Sequence, residues 1–366
     1  MAKGTRNTAL TYVGLDVHRD TISAAVLDGS HDRIEVQRLA HDDVSVRRFV
    51  DSFGDRARIR ACYEAGPTGY ELQRLLTSLG VSCSVIAPSM IPVAPGDKVK
   101  TDKRDAKRLA RLLRADELVA IRVPIPAEEA VRDLCRARAA LVADRRRARQ
   151  RVVSFLLRHG QVYRAGSSWT QRHREWLDSR RFDDAALSAT YQRYLAVATI
   201  RAADVAAVED ELDVWFRAPI FADPVARLSA YRGIDRLGAL HLATEVCDWR
   251  RFATAPQFMA FCGLVPCEHS SGRREWRGSL TRAGNVHVRT QLVESAWAYR
   301  YPPRCNRALI ARQDGLEPAV IARAWKAQLR LSRRFRQLDA RKAVRGVVCA
   351  AVARELAGFV WTEMTQ

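Results

Sequence analysis

The sequence predicts an α/β domain followed by all-α regions, on two observations. Up to the Pro-Ile-Pro at 124–126, strand-like apolar runs come first and then alternate with helical patterns, the order of a mixed α/β domain. From Ala127 onward the chain becomes rich in Ala and Arg, with apolar residues at helical spacing. The expected organisation is an α/β domain over 1–126, a long helical hairpin or coiled coil over 127–223, and a helical C-terminal domain over 224–366. A chain of 366 residues is long enough for two or three domains.

In chain order, Tyr12 to Val17, Ile22 to Leu27 and Ile34 to Leu39 read as strands. Val44 to Phe53 has helical spacing. Ile59 to Tyr63 is a fourth strand running into EAGPTGY, and Tyr70 to Leu79 is a helix stopped by Gly80. Val81 to Ala87 is a fifth strand before a Pro-rich loop, and Lys103 to Ala115 is strongly helical. After Ala127 comes a helix about 45 Å long at 1.5 Å per residue, with a partner from Ala185 to about Phe216. The first carries Arg145, Arg146, Arg147, Arg149 and Arg151, five arginines in seven residues with no acid among them, which points to nucleic-acid backbone contact. Near the start of the third region, Gly233-Ile-Asp235-Arg-Leu-Gly238 opens a helix in the manner of a helix-hairpin-helix turn, whose amides meet a phosphate.

Charge narrows the function. Lys+Arg of 61 against Asp+Glu of 41 gives +20, which implies a polyanionic partner. No lipid-anchor signal, secretory leader or apolar run of transmembrane length stands in the sequence, so no membrane partner is expected. The eight cysteines form no CxxC, which predicts reduced thiols of a cytoplasmic protein and no zinc site.

Four carboxylates suggest chemistry. Asp16 lies inside an apolar strand, a costly place unless it is paired or bound to something. Glu64 ends another strand. Asp102 and Asp105, three apart at a helix start, share a face and the favourable end of the macrodipole. Taken singly, Asp16 is equally a turn-facing strand residue and Asp102 an N-cap. Together they suit hard divalent cations with oxygen ligands, which stabilise the attacking and leaving oxygens of a phosphodiester.

VGLDVHRDT, CYEAGPTGY and KTDKRDAKRLA resemble the Asp-Glu-Asp-Asp (DEDD) pattern of transposases of one group of bacterial insertion sequences, family one-hundred-and-ten, whose relatives include Piv-type DNA invertases. The resemblance implies an RNase H/RuvC-like N-terminal domain with Asp16, Glu64, Asp102 and Asp105 as Mg2+ ligands, Mn2+ being the alternative ion. FCGLVPCEHSSGRREWRGSLTRAGNVHVRTQLVESAW is similar to the C-terminal transposase domain of the same family. That match places Ser271 at the nucleophile position, with Ser270 its neighbour, and Arg282 where the family usually has Lys. Chemically, a serine in a Gly-bounded loop would be exposed, and Arg273, Arg274, Arg277 and Arg282 would neutralise developing phosphate charge. His269 is a loop histidine rather than an evident base. The tail, IARAWKAQLRLSRRFRQL and VVCAAVARELAGFVW, is similar to the family's terminal helices, with Trp325 expected in the core and Arg330, Arg333, Arg334 and Arg336 facing nucleic acid.

The implied function is DNA recombination through a covalent phosphoserine, with no nucleotide cofactor, since no GxxxxGK[ST] loop occurs. The family further implies element-end and target DNA as partners, a structured guide (bridge) RNA, dimers pairing into tetramers, and a nucleoid-associated bacterial protein. Three other readings compete. A RuvC-like nuclease would use water as nucleophile, a regulator would bind without cutting, and a sugar-kinase-like ATPase would need Gly-rich phosphate turns that this chain lacks.

Overall fold

A computed structural model describes residues 10–92, 101–271, 274–341 and 344–366, with side chains described outside 269–277. The chain divides into two compact units, Met1–Val123 and Pro124–Gln366.

The first unit is built on strands β1 (Thr11–Val17), β2 (Thr21–Asp28), β3 (Ile34–Ala40), β4 (Ile59–Glu64) and β5 (Ser82–Ile86), with helices α1 (Asp43–Asp51), α2 (Glu71–Ser78) and α3 (Asp102–Arg114). The sheet order is β3-β2-β1-β4-β5. β1, β2 and β3 are antiparallel neighbours, whereas β4 and β5 run parallel to β1.

Strand alternation then sorts the residues. Val13 and Leu15 of β1 join Phe49 of α1 and Leu72 of α2 in one core on one face. On the other face Cys62 and Ile86 pack with Leu109 of α3, and Ala25 and Leu27 with Ala106 and Ala110. Gly14 lies under this second face. A Cβ there would stand 2.2 Å from the Ala106 carbonyl oxygen and 2.4 Å from the Ala110 nitrogen, so only glycine lets α3 cross β1 so closely. Thr101 caps α3, its Oγ1 accepting from the Arg104 amide at 3.4 Å. Asp102 is therefore the first helical residue and not the cap.

The second unit opens with α4 (Pro126–Arg158), α5 (Gln171–Asp178) and α6 (Ala185–Asp213). α4 has 33 residues, about 50 Å at 1.5 Å per residue. Arg138 near the start of α4 bonds Glu209 near the end of α6, while Phe155 near the end of α4 stacks on Tyr191 near the start of α6, so the pair is antiparallel. Phe155, Leu156, Leu177 and Tyr191 close a small core at the head of this hairpin.

Beyond it come α7 (Ala222–Ser229), α8 (Arg236–Val246), α9 (Ala255–Phe261), β6 (Pro266–Ser271), β7 (Arg274–Leu280), α10 (Val286–Ala296), α11 (Arg307–Gln313), α12 (Pro318–Asp339) and α13 (Arg345–Thr365). A large core gathers α7, α8, α9, α10, α12 and α13 and also takes in Val131 and Cys135 of α4. A fully buried acid in it, Glu363, is held by Arg227, Arg323 and the Tyr231 hydroxyl. Burial alone would raise its pKa, but the hydrogen bonds from Arg323, Arg227 and Tyr231 prevail and leave it below the ordinary glutamate value.

Two expectations need correction here. The C-terminal region is not wholly helical, because β6 and β7 form an antiparallel hairpin within it. Trp325 is not in the core. It is 39% exposed, since Ala324, Ala327, Gln328 and Leu331 set the inward face of α12 and Trp325 falls off that stripe. All eight cysteines are free thiols.

Candidate active site

Asp16 and Glu64 each stand one residue beyond the paired Leu15 and Tyr63, at the same end of the parallel β1–β4 pair. Asp16 shares the strand face of Gly14. Glu64 shares that of Cys62, whose thiol lies against Leu109 of α3. Both acids thus belong to the face that α3 covers. Close packing at Gly14 brings the first turn of α3 to the same edge, with Asp105 one turn ahead of Leu109 and Asp102 one turn ahead of Ala106.

Electrostatics register the approach of Asp16, Asp102 and Asp105. Asp16 is half-buried, and its pKa is raised, first by burial and then by repulsion from Asp102 and Asp105, against an opposing pull from His18. Among the described residues no Lys or Arg forms an ion pair with Asp16, Glu64, Asp102 or Asp105. In a chain of net charge +20 such a cluster is conspicuous, because any nearby arginine would be drawn to it. An all-oxygen set of this kind, partly open to water, fits a divalent cation. The sequence reading missed one member. His18 Nε2 lies 3.3 Å from Asp16 Oδ2 and 3.5 Å from Asp102 Oδ1, and one ligand atom from each of the three lies within 4.8 Å of the others. The only advance signal was its position two residues after Asp16, just past the end of β1.

The serine segment belongs to the second unit. Ser271 is the last residue of β6, in register with Arg274 of β7, so its backbone is a strand end and not the free Gly-bounded loop that was expected. The side chains of Ser270, Ser271, His269, Arg274 and Arg277 lie outside the described residues, as does Arg273 altogether.

The base of this hairpin is well defined. The Thr281 amide donates to the Val265 carbonyl at 2.9 Å, and the Asn285 amide to the Phe261 carbonyl at 2.8 Å. Gly284 has φ +131°, and a Cβ there would meet the Phe261 carbonyl oxygen at 2.2 Å. Arg282 takes the left-handed region at φ 53°, and its carbonyl accepts from Arg289 Nη1 at 3.1 Å.

A second cluster, also missed in the sequence, braces this base. His241, Glu245 and His287 approach one another within 4.8 Å. Buried Glu245 accepts from Arg136 Nε at 2.7 Å, Arg136 Nη2 at 2.9 Å and Asn285 Nδ2 at 2.8 Å. These donors occupy the carboxylate, so the cluster is an internal ion pair joining α4, α8 and α10. Burial lowers the His241 pKa to about 4, with attraction to Glu245 opposing, and the ring is neutral at pH 7. At the helix-hairpin-helix-like turn Asp235 caps α8 and accepts from the Gly238 amide at 2.7 Å, which takes one of the turn amides.

The arginines of α4 differ from one another. Arg147 is ion-paired with Asp144 just ahead of the run, and Arg149 lies over the Trp169 ring at 4.7 Å. Arg145, Arg146 and Arg151 have no acidic partner among the described residues, and Arg146 and Arg151 are exposed. On α12, Arg330 and Arg334 pair with Glu355, leaving Arg333 and Arg336 exposed.

A carboxylate cluster on the edge of a mixed sheet, joined to an arginine-rich helical unit, defines a protein of the nucleic-acid-processing class. Residues 13–160 match the DEDD transposase model of IS110 elements, and residues 225–309 match the model described as transposase, IS116/IS110/IS902 family. A Sinorhizobium fredii protein that carries the name transposase y4qE is 44% identical over 354 residues, 96% of this chain and 87% of its own. The transposase for insertion sequence element IS1533 of Leptospira borgpetersenii is 33% identical over 338 residues, 90% of this chain and 97% of its own. The chain belongs to the IS110 family of insertion-sequence transposases. Among the described residues no helix is long and apolar enough to cross a membrane.

Proposed function

We propose that this transposase cuts and rejoins DNA by transesterification, with Ser271 as nucleophile and Asp16, Glu64, Asp102 and Asp105 as holders of a divalent cation, Mg2+ or Mn2+. The observation that carries the proposal is the electrostatic approach of Asp16, Asp102 and Asp105, with Glu64 at the same end of the parallel β1–β4 pair and no Lys or Arg ion-paired to any of the four among the described residues. A bound divalent ion would supply charge neutralisation at the phosphate under attack.

The chain's own part is as follows. Ser271 Oγ forms a bond to a DNA phosphorus as one phosphorus–oxygen bond of the backbone breaks, and the hydroxyl proton passes in net terms to the departing sugar oxygen. A hydroxyl of another strand then attacks the phosphoserine, restoring the serine and a phosphodiester. Bond number is conserved, so no nucleotide is consumed. Arg273, Arg274, Arg277 and Arg282 would screen the phosphate, and Arg145, Arg146 and Arg149 with Arg147 would hold backbone.

The sheet order, three antiparallel strands followed by two parallel ones with the last two acids on α3, supports an RNase H/RuvC-like reading of the first unit. The family resemblance carries the guide RNA and the dimers or tetramers into this reading; the excess of positive charge fits RNA as well as DNA without separating them.

The test is a denaturing gel of protein with element-end DNA, flanking RNA and Mg2+. A covalent adduct that is lost in Ser271→Ala and in Asp102→Ala is expected. Cleavage without adduct, undiminished in Ser271→Ala, would overturn the serine mechanism in favour of a hydrolytic nuclease.

A further inference from the structure

The carboxylate centre contains one nitrogen donor that an all-oxygen magnesium site does not need. His18 Nε2 stands 3.3 Å from Asp16 Oδ2 and 3.5 Å from Asp102 Oδ1. Both separations lie within ion-pair reach, and the nearer also serves Asp16 as a long hydrogen bond. They are close to the spacing of two ligands on one ion, which is about 3.0 to 3.4 Å when each bond is about 2.1 Å long.

The backbone that presents the ring is pinned on both sides. The His18 amide donates to the Thr21 carbonyl at 2.9 Å, and the His18 carbonyl accepts from His41 Nδ1 at 2.7 Å. The imidazole therefore leaves a fixed turn between β1 and β2 and reaches across to the first residue of α3. It bridges two acids that come from separate elements of the fold.

We propose that His18 is a direct ligand, through Nε2, of the cation shared by Asp16 and Asp102, and that it makes this centre prefer Mn2+ or a later first-row divalent ion over Mg2+. The proposal rests on the carboxylates holding a divalent ion at all. Its chemistry is that of ligand type. Mg2+ gives up water reluctantly and takes oxygen, whereas imidazole nitrogen gains affinity along the series from Mn2+ onward. A purely positioning histidine would organise Asp16 and Asp102 without touching the ion, and would leave the choice of ion unchanged.

The experiment uses the full chain, freed of metal by a chelator and titrated with MnCl2. Free Mn2+ is followed by its electron paramagnetic resonance signal, and bound Mn2+ by electron spin echo modulation, which detects a coordinated nitrogen-14. Wild type should show nitrogen modulation that His18→Asn and His18→Ser lose, with unchanged circular dichroism. In the variants Mn2+ affinity should fall by at least the roughly 10-fold that loss of an outer-shell partner alone costs, while Mg2+ affinity, read by competition, changes little. Bound Mn2+ without nitrogen modulation, or equal losses for both ions, would overturn the role of His18 and leave the carboxylate centre standing. Mn2+ binding no stronger than in an Asp16→Ala/Asp102→Ala variant would overturn both.

Discussion

Gly14 of β1 and Ala106 of α3 meet so closely that a methyl group on the glycine would sit 2.2 Å from the alanine's carbonyl oxygen. That approach carries the α3 acids to the strand acids. Gly14→Ala should therefore force α3 outward, at a cost of about 1–3 kcal/mol for overpacking. Urea unfolding of the variant should show this loss. Mn2+ titration should show weaker binding even though no acid has changed. Unaltered binding would mean that α3 tolerates displacement without moving Asp102 and Asp105.

Glu245 is buried and bonded by Arg136 and Asn285, and Asn285 is the cap of α10. Removing one partner of such a pair leaves an uncompensated group. Glu245→Ala should destabilise the second unit by about 3–5 kcal/mol. It should also loosen the base of the β6–β7 hairpin, visible as faster amide exchange at Thr281 and Asn285.

The pH response of stability should carry the signature of His241. Its folded-state pKa, about 4, lies below the ordinary 6.5, so the unfolded chain binds more protons between these values. Stability from this group is complete above pH 6.5 and falls as pH drops toward 4. Between pH 7.5 and 5 the loss should reach about 2 kcal/mol at most. The slope over that range should flatten in His241→Phe. Chemical denaturation at the two pH values measures it, and an unchanged slope would refute the assignment.

Nucleic-acid affinity should separate the arginines of α4. Arg146 and Arg151 are exposed with no acidic partner among the described residues, whereas Arg147 already holds Asp144. The log–log salt slope for duplex binding should fall by about 0.9 for each phosphate contact removed. Arg146→Ala and Arg151→Ala should each lower it, and Arg147→Ala should lower it less. Equal slopes for all three variants would show that the Asp144 pair opens on binding.

Much of the first unit was legible because its signals are local. Period-two runs marked β1 to β5 within a residue or two, and the acid pattern with its flanking motifs marked Asp16, Glu64, Asp102 and Asp105. The serine hairpin was less legible. CEHSS and REWRGSL are polar, with no apolar alternation to separate a strand pair from a loop, and their pairing shows only in register. Trp325 misled because a large aromatic suggests a core, while the helical phase set by Ala324, Ala327, Gln328 and Leu331 turns it outward.

The sequence by itself determined the order of strands and helices and the excess of positive charge, and it marked the acids as candidates, since these follow from residue type and short-range period. Only the tertiary structure decided which distant groups meet. Asp16 and Asp102 are joined through His18, and Arg136, Glu245 and Asn285 form one buried network. Coulomb energy and ligand geometry depend on separation in space, and that separation is set by sheet register and helix packing across spans of chain that no local pattern encodes.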